Sequence, residues 1–273
     1  MIRRLKNAES FRDLICTVQS SPAYSDPALV RESRPEEGPQ RSASKRNHQM
    51  FGVYSGEEKT GLFVFLIVPE EKYIEMLYGL SAEKSAWTEM LGFLKENRPG
   101  YQADFVFNPA HDLLKGELEA RGAEFDTEQM RMIYTHHHAA VNTDGIRVLD
   151  DEYLEDYLAM HSKDVYWTGE RIIKAPERFC TYIAVDDGNL AGYIDVTHCF
   201  DENEPYDLLV KPEYRGRGYG RKLLAYALYM NEPHDMVLLV NIDNAAAISL
   251  YESLGFVHAE DQNSLTAHWQ IPE

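Results

Sequence analysis

The sequence predicts an α/β protein assembled from two similar halves, and three observations carry that prediction. Apolar runs of period two alternate along the chain with longer segments of helical period. One order of elements (hairpin, strand, helix, strand, helix, strand) is met twice. The segments NPAHDLLKGELEARGAEF and NAAAISLYESLGF each place an Asn after a strand, then an apolar-faced helix and a closing Gly, as tandem copies of one domain would. We therefore expect a first domain over residues 1–138 and a second over 142–273. THHHAAVNTDG (Thr135 to Gly145), polar and turn-rich, is the expected linker.

In the first half, RESRPEEGPQRSASKRNHQ (Arg31 to Gln49) is polar and mixed in charge, and reads as a loop or a frayed helix. MFGVYSGEEKTGLFVFLIV (Met50 to Val68) reads as a hairpin, and GLFVFLIV within it as a buried strand too short to cross a bilayer. KYIEMLYGL (Lys72 to Leu80) is a strand. SAWTEMLGFLKE is a helix with Trp87, Met90, Leu91 and Leu94 on one face. ADFVFN (Ala103 to Asn108) leads into the helix HDLLKGELEARGAEF, and QMRMIYT (Gln129 to Thr135) ends the unit.

The second half opens with the strand GIRVLD (Gly145 to Asp150) and a helix carrying Leu154, Tyr157 and Leu158. RFCTYIAVDDGNLAGYIDVTHCF (Arg178 to Phe200) is a hairpin, since alternating apolar runs flank Asp186-Asp187-Gly188-Asn189. The strand YDLLV (Tyr206 to Val210) runs into a glycine-rich turn and the helix RKLLAYALYM, with Leu223, Leu224, Ala227 and Leu228 on one face. The strand MVLLVN (Met236 to Asn241), the helix NAAAISLYESLGF and a strand around SLTAHWQI complete the half.

Composition narrows the function classes. The 273 residues carry 27 basic and 45 acidic side chains, a formal charge of −18. That argues against nucleic-acid or anionic-membrane partners; it mildly favours a cationic substrate, although solubility alone explains it. No secretory leader pattern is visible behind MIRRLKNAESFRDL. Cys16, Cys180 and Cys199 lack metal spacing and read as free thiols in a cytoplasmic protein.

Against that acidity, residues 211–222 hold five basic side chains and one acidic one. Gly216, Gly218 and Gly220 lie between a strand and a helix, where glycines let successive amides point at an anion. The helix N-terminus adds partial positive charge, and Arg215, Arg217 and Arg221 add fixed charge. A tight turn with solvated arginines is the plainer alternative. The spacing lacks the Gly-Lys-Ser/Thr end of the Walker loop and differs from the dinucleotide Gly-x-Gly-x-x-Gly.

LLVKPEYRGRGYGRKLL resembles the coenzyme A loop of the GNAT superfamily of N-acetyltransferases, Arg/Gln-x-x-Gly-x-Gly/Ala, with Arg215, Gly218 and Gly220 in the patterned positions. NIDNAAAISLYESLGFV is similar to the family's second segment through Asn244, Ala247, Leu250, Tyr251, Gly255 and Phe256. The resemblance covers Asn142 to the C-terminus directly and the first half through the repeat. It implies two tandem domains, each a mixed, mostly antiparallel central sheet flanked by helices. It also implies direct attack of an amine on acetyl-CoA in a ternary complex.

Several roles follow from the resemblance. Amides of the turn Arg215, Gly216, Arg217, Gly218, Tyr219 and Gly220, with Arg221, would hold the diphosphate of coenzyme A. The strand Leu208, Leu209 and Val210 would pair with the pantetheine arm, beside a bulge that the sequence does not reveal. Glu204 is the first candidate base and Asp207 the second; a solvated acid cluster in FDENEPYD is the plain reading of both. Tyr251 is the candidate acid, and its place on an apolar stripe also suits a core aromatic. Asn244 caps its helix or hydrogen-bonds the pantetheine amides, capping being the simpler reading.

The position matching Tyr251 in the first half falls at Leu118, and no glycine turn precedes it, so the first domain is expected to be a degenerate copy. His136 to His138 read as linker, since adjacent histidines do not converge on one ion, and no metal is expected. Tyr166, Trp167 and Glu170 are candidates to line the amine pocket. The acceptor, a small-molecule or peptide amine, and the oligomeric state are left open. A non-catalytic coenzyme A-binding module and a longer acyl donor are the alternatives.

Overall fold

The computed structural model describes residues 1–19, 21, 23–24, 39, 45, 47–136, 140–163, 165 and 167–273. The chain divides into two compact units, Met1–Met130 with Glu260–Glu273, and Arg131–Ala259.

The first unit contains β1 (Ile2–Leu5), α1 (Arg12–Gln19), β2 (His48–Ser55), β3 (Glu58–Val68), β4 (Tyr73–Leu80), α2 (Lys84–Asn97), β5 (Gln102–Phe107), α3 (Asp112–Glu119) and β6 (Glu124–Phe125). Its seven-stranded sheet runs β1-β2-β3-β4-β5-β15-β6, where β15 (Leu265–Gln270) is the last strand of the chain. Only β4 and β5 are parallel among the pairs in that sheet. β3 is buried on both faces, which explains its unbroken apolar run. Phe63, Phe65 and Ile67 enter a core with Trp87, Met90, Leu91 and Leu94 of α2, while Leu62 and Val64 pack with Phe11, Ile15 and Val18.

The second unit contains β7 (Gln129–Tyr134, from Arg131 on), β8 (Ile146–Val148), α4 (Leu154–Met160), α5 (Gly169–Ile173), β9 (Phe179–Asp186), β10 (Asn189–Thr197), β11 (Glu202–Asn203), β12 (Pro205–Val210), α6 (Tyr219–Asn231), β13 (Asp235–Asn241), α7 (Ala245–Glu252) and β14 (Phe256–His258). It holds two four-stranded sheets, β12-β10-β9-β8 and β11-β13-β7-β14. The hairpin β9–β10 turns at Asp187 and Gly188, both at positive φ (46° and 76°), the geometry that Asp-Gly favours.

The expected boundaries, 1–138 and 142–273, therefore need correction, because the terminal strands of the two halves are exchanged. β7, read as the end of the first half, pairs with β14, Tyr134 facing Phe256. β15, read as the end of the second half, pairs with β5 and sends Leu265, Ala267 and Trp269 into the first unit's core. Alternation fixes which side chains of a strand point inward but not which sheet receives it. Part of the expected linker, residues 137–139, and most of 31–49 lie outside the described residues.

The duplication is visible in matching details. His111 Nδ1 accepts the Leu114 amide at 3.3 Å to cap α3, as Asn244 Oδ1 accepts the Ala247 amide at 3.2 Å to cap α7. The two helices are followed by Gly122 and Gly255 at φ +75° and +89°. A bulge also recurs at the equivalent place in each unit. The β3–β4 register slips at Val64/Phe65 and leaves Leu77 extra; the β10–β12 register slips at Asp195/Val196 and leaves Tyr206 extra.

Candidate functional site

The bulge at Tyr206 re-aims the strand that carries the candidate residues. Before it, β11 pairs in parallel with β13 at Glu202↔Asp235 and Asn203↔Met236. After it, β12 pairs with β10 and ends its sheet, so β12 and β13 part and β12 presents an unpaired edge. Leu208, Leu209 and Val210 are accordingly only half-buried despite being apolar. An open strand edge of this kind accepts an extended amide-bearing chain as an added strand.

The turn that follows is built for close backbone approach at two of its three glycines. Gly216 sits at φ +75° and Gly218 at +85°, and a Cβ on either would meet nothing within 4 Å. Gly220 lies inside α6, where a Cβ would touch Leu250 and Val210 at ordinary distances of 3.6 and 3.8 Å. Conformational freedom is thus required at Gly216 and Gly218 and not at Gly220. Gly218 is the N-cap of α6 and has no side chain to offer, so the first-turn amides of a 13-residue helix are left for a ligand.

The basic side chains around the turn are partly anchored. Arg215 Nε donates to the Val210 carbonyl (3.1 Å), Arg217 approaches Asp186 (3.4 Å), and Lys222 donates to the Asp144 carbonyl (3.3 Å). Arg221 binds Ser253 at Oγ and O (2.6 and 3.1 Å), just beyond the C-terminus of α7, where positive charge is favoured. Tyr219 packs edge-on to Tyr214. Such a cradle fits a diphosphate: open positive-φ glycines, an uncapped helix start and arginines held at its rim.

Tyr251 lies on α7, a helix of mostly apolar residues none of which is buried. Its ring leans on Phe256 (5.8 Å), and burial followed by the charge of Asp207 raises its hydroxyl pKa. Asn244 caps α7, as the simpler reading expected. Glu204 is held through its backbone, its amide donating to Thr197 Oγ1 (2.8 Å) and its carbonyl accepting the Thr197 amide (2.9 Å). Of the two candidate bases, Asp207 is the one whose charge reaches Tyr251.

Asp207 also joins a buried network that the sequence reading missed. Tyr193 donates to it at 2.6 Å, and His161 Nε2 lies 3.6 Å away. The same imidazole nitrogen contacts Asp195 at 3.0 Å, and Asp195 also accepts from Tyr157 (3.0 Å) and Thr181 (2.5 Å) with no exposure to solvent. Burial lowers the His161 pKa, but the bond to Asp195 and the neighbouring carboxylates outweigh it and the net shift is upward. Burial raises the Asp195 pKa against the pull of its three donors. Both shifts favour a retained proton. Ligand atoms of His161, Asp195 and Asp207 lie within 4.8 Å of one another, and a hydrogen bond joins the first two. The signals available were an Asp inside the apolar strand β10 and a Tyr and His four residues apart on and just after α4.

Trp167 packs edge-on against Phe179 (4.9 Å), which meets Tyr206 of the bulge (5.8 Å); Glu170 is exposed and Tyr166 lies outside the described residues. His136 contacts Glu232 and Asp235 (3.3 and 2.9 Å), while His137 and His138 are not among the described residues. The three cysteines are free, and no described helix is long and apolar enough to cross a membrane. A pocket of about 640 Å³, walled by Leu154, Ile172, Phe179, Cys180, His198 and Met230 among others, includes none of the turn residues.

Comparison with known proteins points to an acetyltransferase domain in the second unit. Residues 177–258 match the family described as Acetyltransferase (GNAT) domain. The [Ribosomal protein bS18]-alanine N-acetyltransferase of Escherichia coli (strain K12) is 35% identical over 86 residues, 30% of this chain and 58% of that protein. The N-acetylaspartate synthetase of Homo sapiens is 34% identical over 113 residues, 39% of this chain and 35% of that one. The chain thus spans little more than half the length of the first relative. Among solved structures, a GCN5-related N-acetyltransferase from Sphaerobacter thermophilus superposes with TM-score 0.69 at 14% identity, covering 100% of this chain and 96% of that one. A tandem GNAT protein from the clavulanic acid biosynthesis pathway superposes with TM-score 0.55 at 17% identity, covering 100% and 99%. Residues 177–258 thus match an acetyltransferase (GNAT) domain, and the whole chain shares the fold of a tandem GNAT protein.

Proposed function

We propose that the second unit transfers an acetyl group from acetyl-CoA to an amine bound with it in a ternary complex. The observation that carries this reading is the uncapped α6 start behind Gly216 and Gly218, placed at the end of the unpaired β12 edge. Bound acetyl-CoA supplies an activated acetyl thioester. The amides of Arg215 to Gly220 grip its diphosphate, and the Leu208–Val210 edge hydrogen-bonds its pantetheine arm. An amine must shed a proton before it attacks. Asp207 takes that proton, because Tyr193 fixes its orientation and the His161–Asp195 pair beneath it buffers the added charge. Glu204 draws the ammonium form toward the bulge. Tyr251, whose raised pKa keeps it protonated at neutral pH, donates to the departing sulfur. An amine acceptor also accords with two relatives, one named for N-acetylation of an alanine of bS18 and the other for synthesis of N-acetylaspartate.

The test measures thiol released from acetyl-CoA across a broad amine panel, beside calorimetric binding of coenzyme A. Amine-dependent thiol release supports the enzyme. Tight coenzyme A binding with no release for any amine, unchanged by Tyr251→Phe, establishes a binding module instead. Faster release from a bulkier thioester identifies a longer acyl donor.

A further inference from the structure

Arg178, immediately before β9, is boxed by aromatic rings. Its guanidinium carbon lies 4.9 Å from the ring centre of Trp167, 5.4 Å from Phe179 and 5.3 Å from Phe200. Its Nε is buried without a hydrogen-bond partner. In a chain with 45 acidic residues, this arginine makes no ion pair with any described residue. The neighbouring segment from Phe200 to Asp207 contains four acids, yet Glu202 pairs with Arg131 (3.0 Å) and Asp207 with Tyr193. Burying one guanidinium nitrogen without a hydrogen-bond partner costs solvation, which cation–π contacts offset only in part.

The location gives this arginine a use. Phe179 faces Thr197, which holds Glu204, and its ring meets Tyr206 at the bulge beside Asp207. Phe200 and Tyr206 remain 44% and 39% exposed, so the aromatic group is open on its outer side. Aromatic walls hold a guanidinium flat, and a flat fork is the shape that meets a carboxylate through two parallel N–H···O bonds.

Resting on the proposed acetyl transfer, we infer that Arg178 binds a carboxylate on the acceptor, so that the substrate class is an amine that also carries a carboxylate. Its ammonium end is drawn to Glu204 and Asp207, and its carboxylate to Arg178. Such an acceptor is zwitterionic, which accommodates an isolated cation within an acidic site.

The test pairs free amino acids with the corresponding carboxamides as acceptors, for the wild-type protein and for Arg178→Gln and Arg178→Lys. Thiol release gives kcat and KM, and calorimetric titration of the same compounds gives binding without turnover. Charge-assisted bonds of this kind imply that the free acids are preferred about 10- to 100-fold, chiefly through KM. Arg178→Gln collapses that ratio toward one; Arg178→Lys, which keeps the charge and the packing stem but not the fork, retains part of it. Equal use of acids and amides by the wild-type protein, or an undiminished preference in both variants, overturns the inference while leaving acetyl transfer intact. Acid-selective binding that needs Arg178, without thiol release from any amine, supports the recognition site and overturns acetyl transfer instead.

Discussion

The turn at Gly216 to Gly220 allows a prediction whose sign differs between two glycines two residues apart. Gly218 is left-handed (φ +85°, ψ 5°), and Gly220 is helical. An alanine at 218 would have open space around its Cβ and would be penalised by its backbone alone, by about 1–2 kcal/mol. The turn can meet that cost by folding less stably or by relaxing into a right-handed form that misdirects the amides. In the second case the binding-competent population falls by the same energy, about 5- to 30-fold in coenzyme A affinity. At 220 the new methyl meets Leu250 at 3.6 Å and Val210 at 3.8 Å without overlap. Replacing a helical glycine there stabilises by up to about 1 kcal/mol. Urea unfolding and calorimetric titration of coenzyme A on both variants provide the assay. Gly218→Ala should lose stability or affinity, and Gly220→Ala should keep both. Unchanged stability and affinity in Gly218→Ala would refute the amide cradle.

Three further outcomes can be checked on the same protein. Tyr251→Phe should lower kcat by about 100-fold or more with coenzyme A affinity retained, since only a proton donor is removed; unaltered kcat in steady-state assays rejects the acid role. Asp207→Asn should reduce kcat more than Glu204→Gln, and Glu204→Gln should act mainly on KM; the reverse order in matched kinetics restores Glu204 as the base. Stability should peak near pH 6.5. His111 is pushed down to about 4 by burial, so its contribution of about 3 kcal/mol is complete above the unfolded value and lost as pH falls from about 6.5 to 4. His161, His136 and His268 are raised, so their contributions are complete below about 6.5 and lost as pH rises through their folded values. Urea melts that strengthen steadily from pH 6.5 to 9 would contradict this.

The parts legible in the sequence are those set by local periodicity and turn chemistry. Trp87, Met90, Leu91 and Leu94 line the buried face of α2 as their spacing requires, and Asp187-Gly188 makes the tight hairpin turn. Partnership between distant segments was not legible. QMRMIYT and SLTAHWQI carry equivalent alternating patterns, and nothing local says that each joins the sheet of the opposite half. Nor does Asp195 announce its burial, because that depends on α4 bringing Tyr157 and on His161 just beyond it. Arg178 is drawn together with Trp167 and Phe200 from positions 11 and 22 residues away. Polar groups gathered across strands leave no periodic trace, so the residues that escaped the sequence are those joined by tertiary contacts alone.

The first unit carries no glycine turn between β4 and α2, and that difference yields a count. Where β12 leads into glycines, β4 leads into Ser81 and an N-cap Glu83, whose carboxylate at the α2 N-terminus repels an anion. Ser81 is fully buried, donating to the Thr60 carbonyl (2.6 Å) and accepting the Glu83 amide (3.0 Å), so this bend is closed on itself. On α3, Leu114 and Leu118 are completely buried, whereas the matching Ala247 and Tyr251 of α7 are only half-buried. Each such leucine stabilises the unit by about 1.5–3 kcal/mol relative to an exposed one. That gain fills with protein side chains the space that a ligand would need. Coenzyme A should therefore bind with a stoichiometry of one per chain in calorimetry, and Gly218→Val should abolish the only transition seen. Two equivalents of comparable affinity, or one equivalent that survives Gly218→Val, would place a working cradle in the first unit and remove the reason for calling it degenerate.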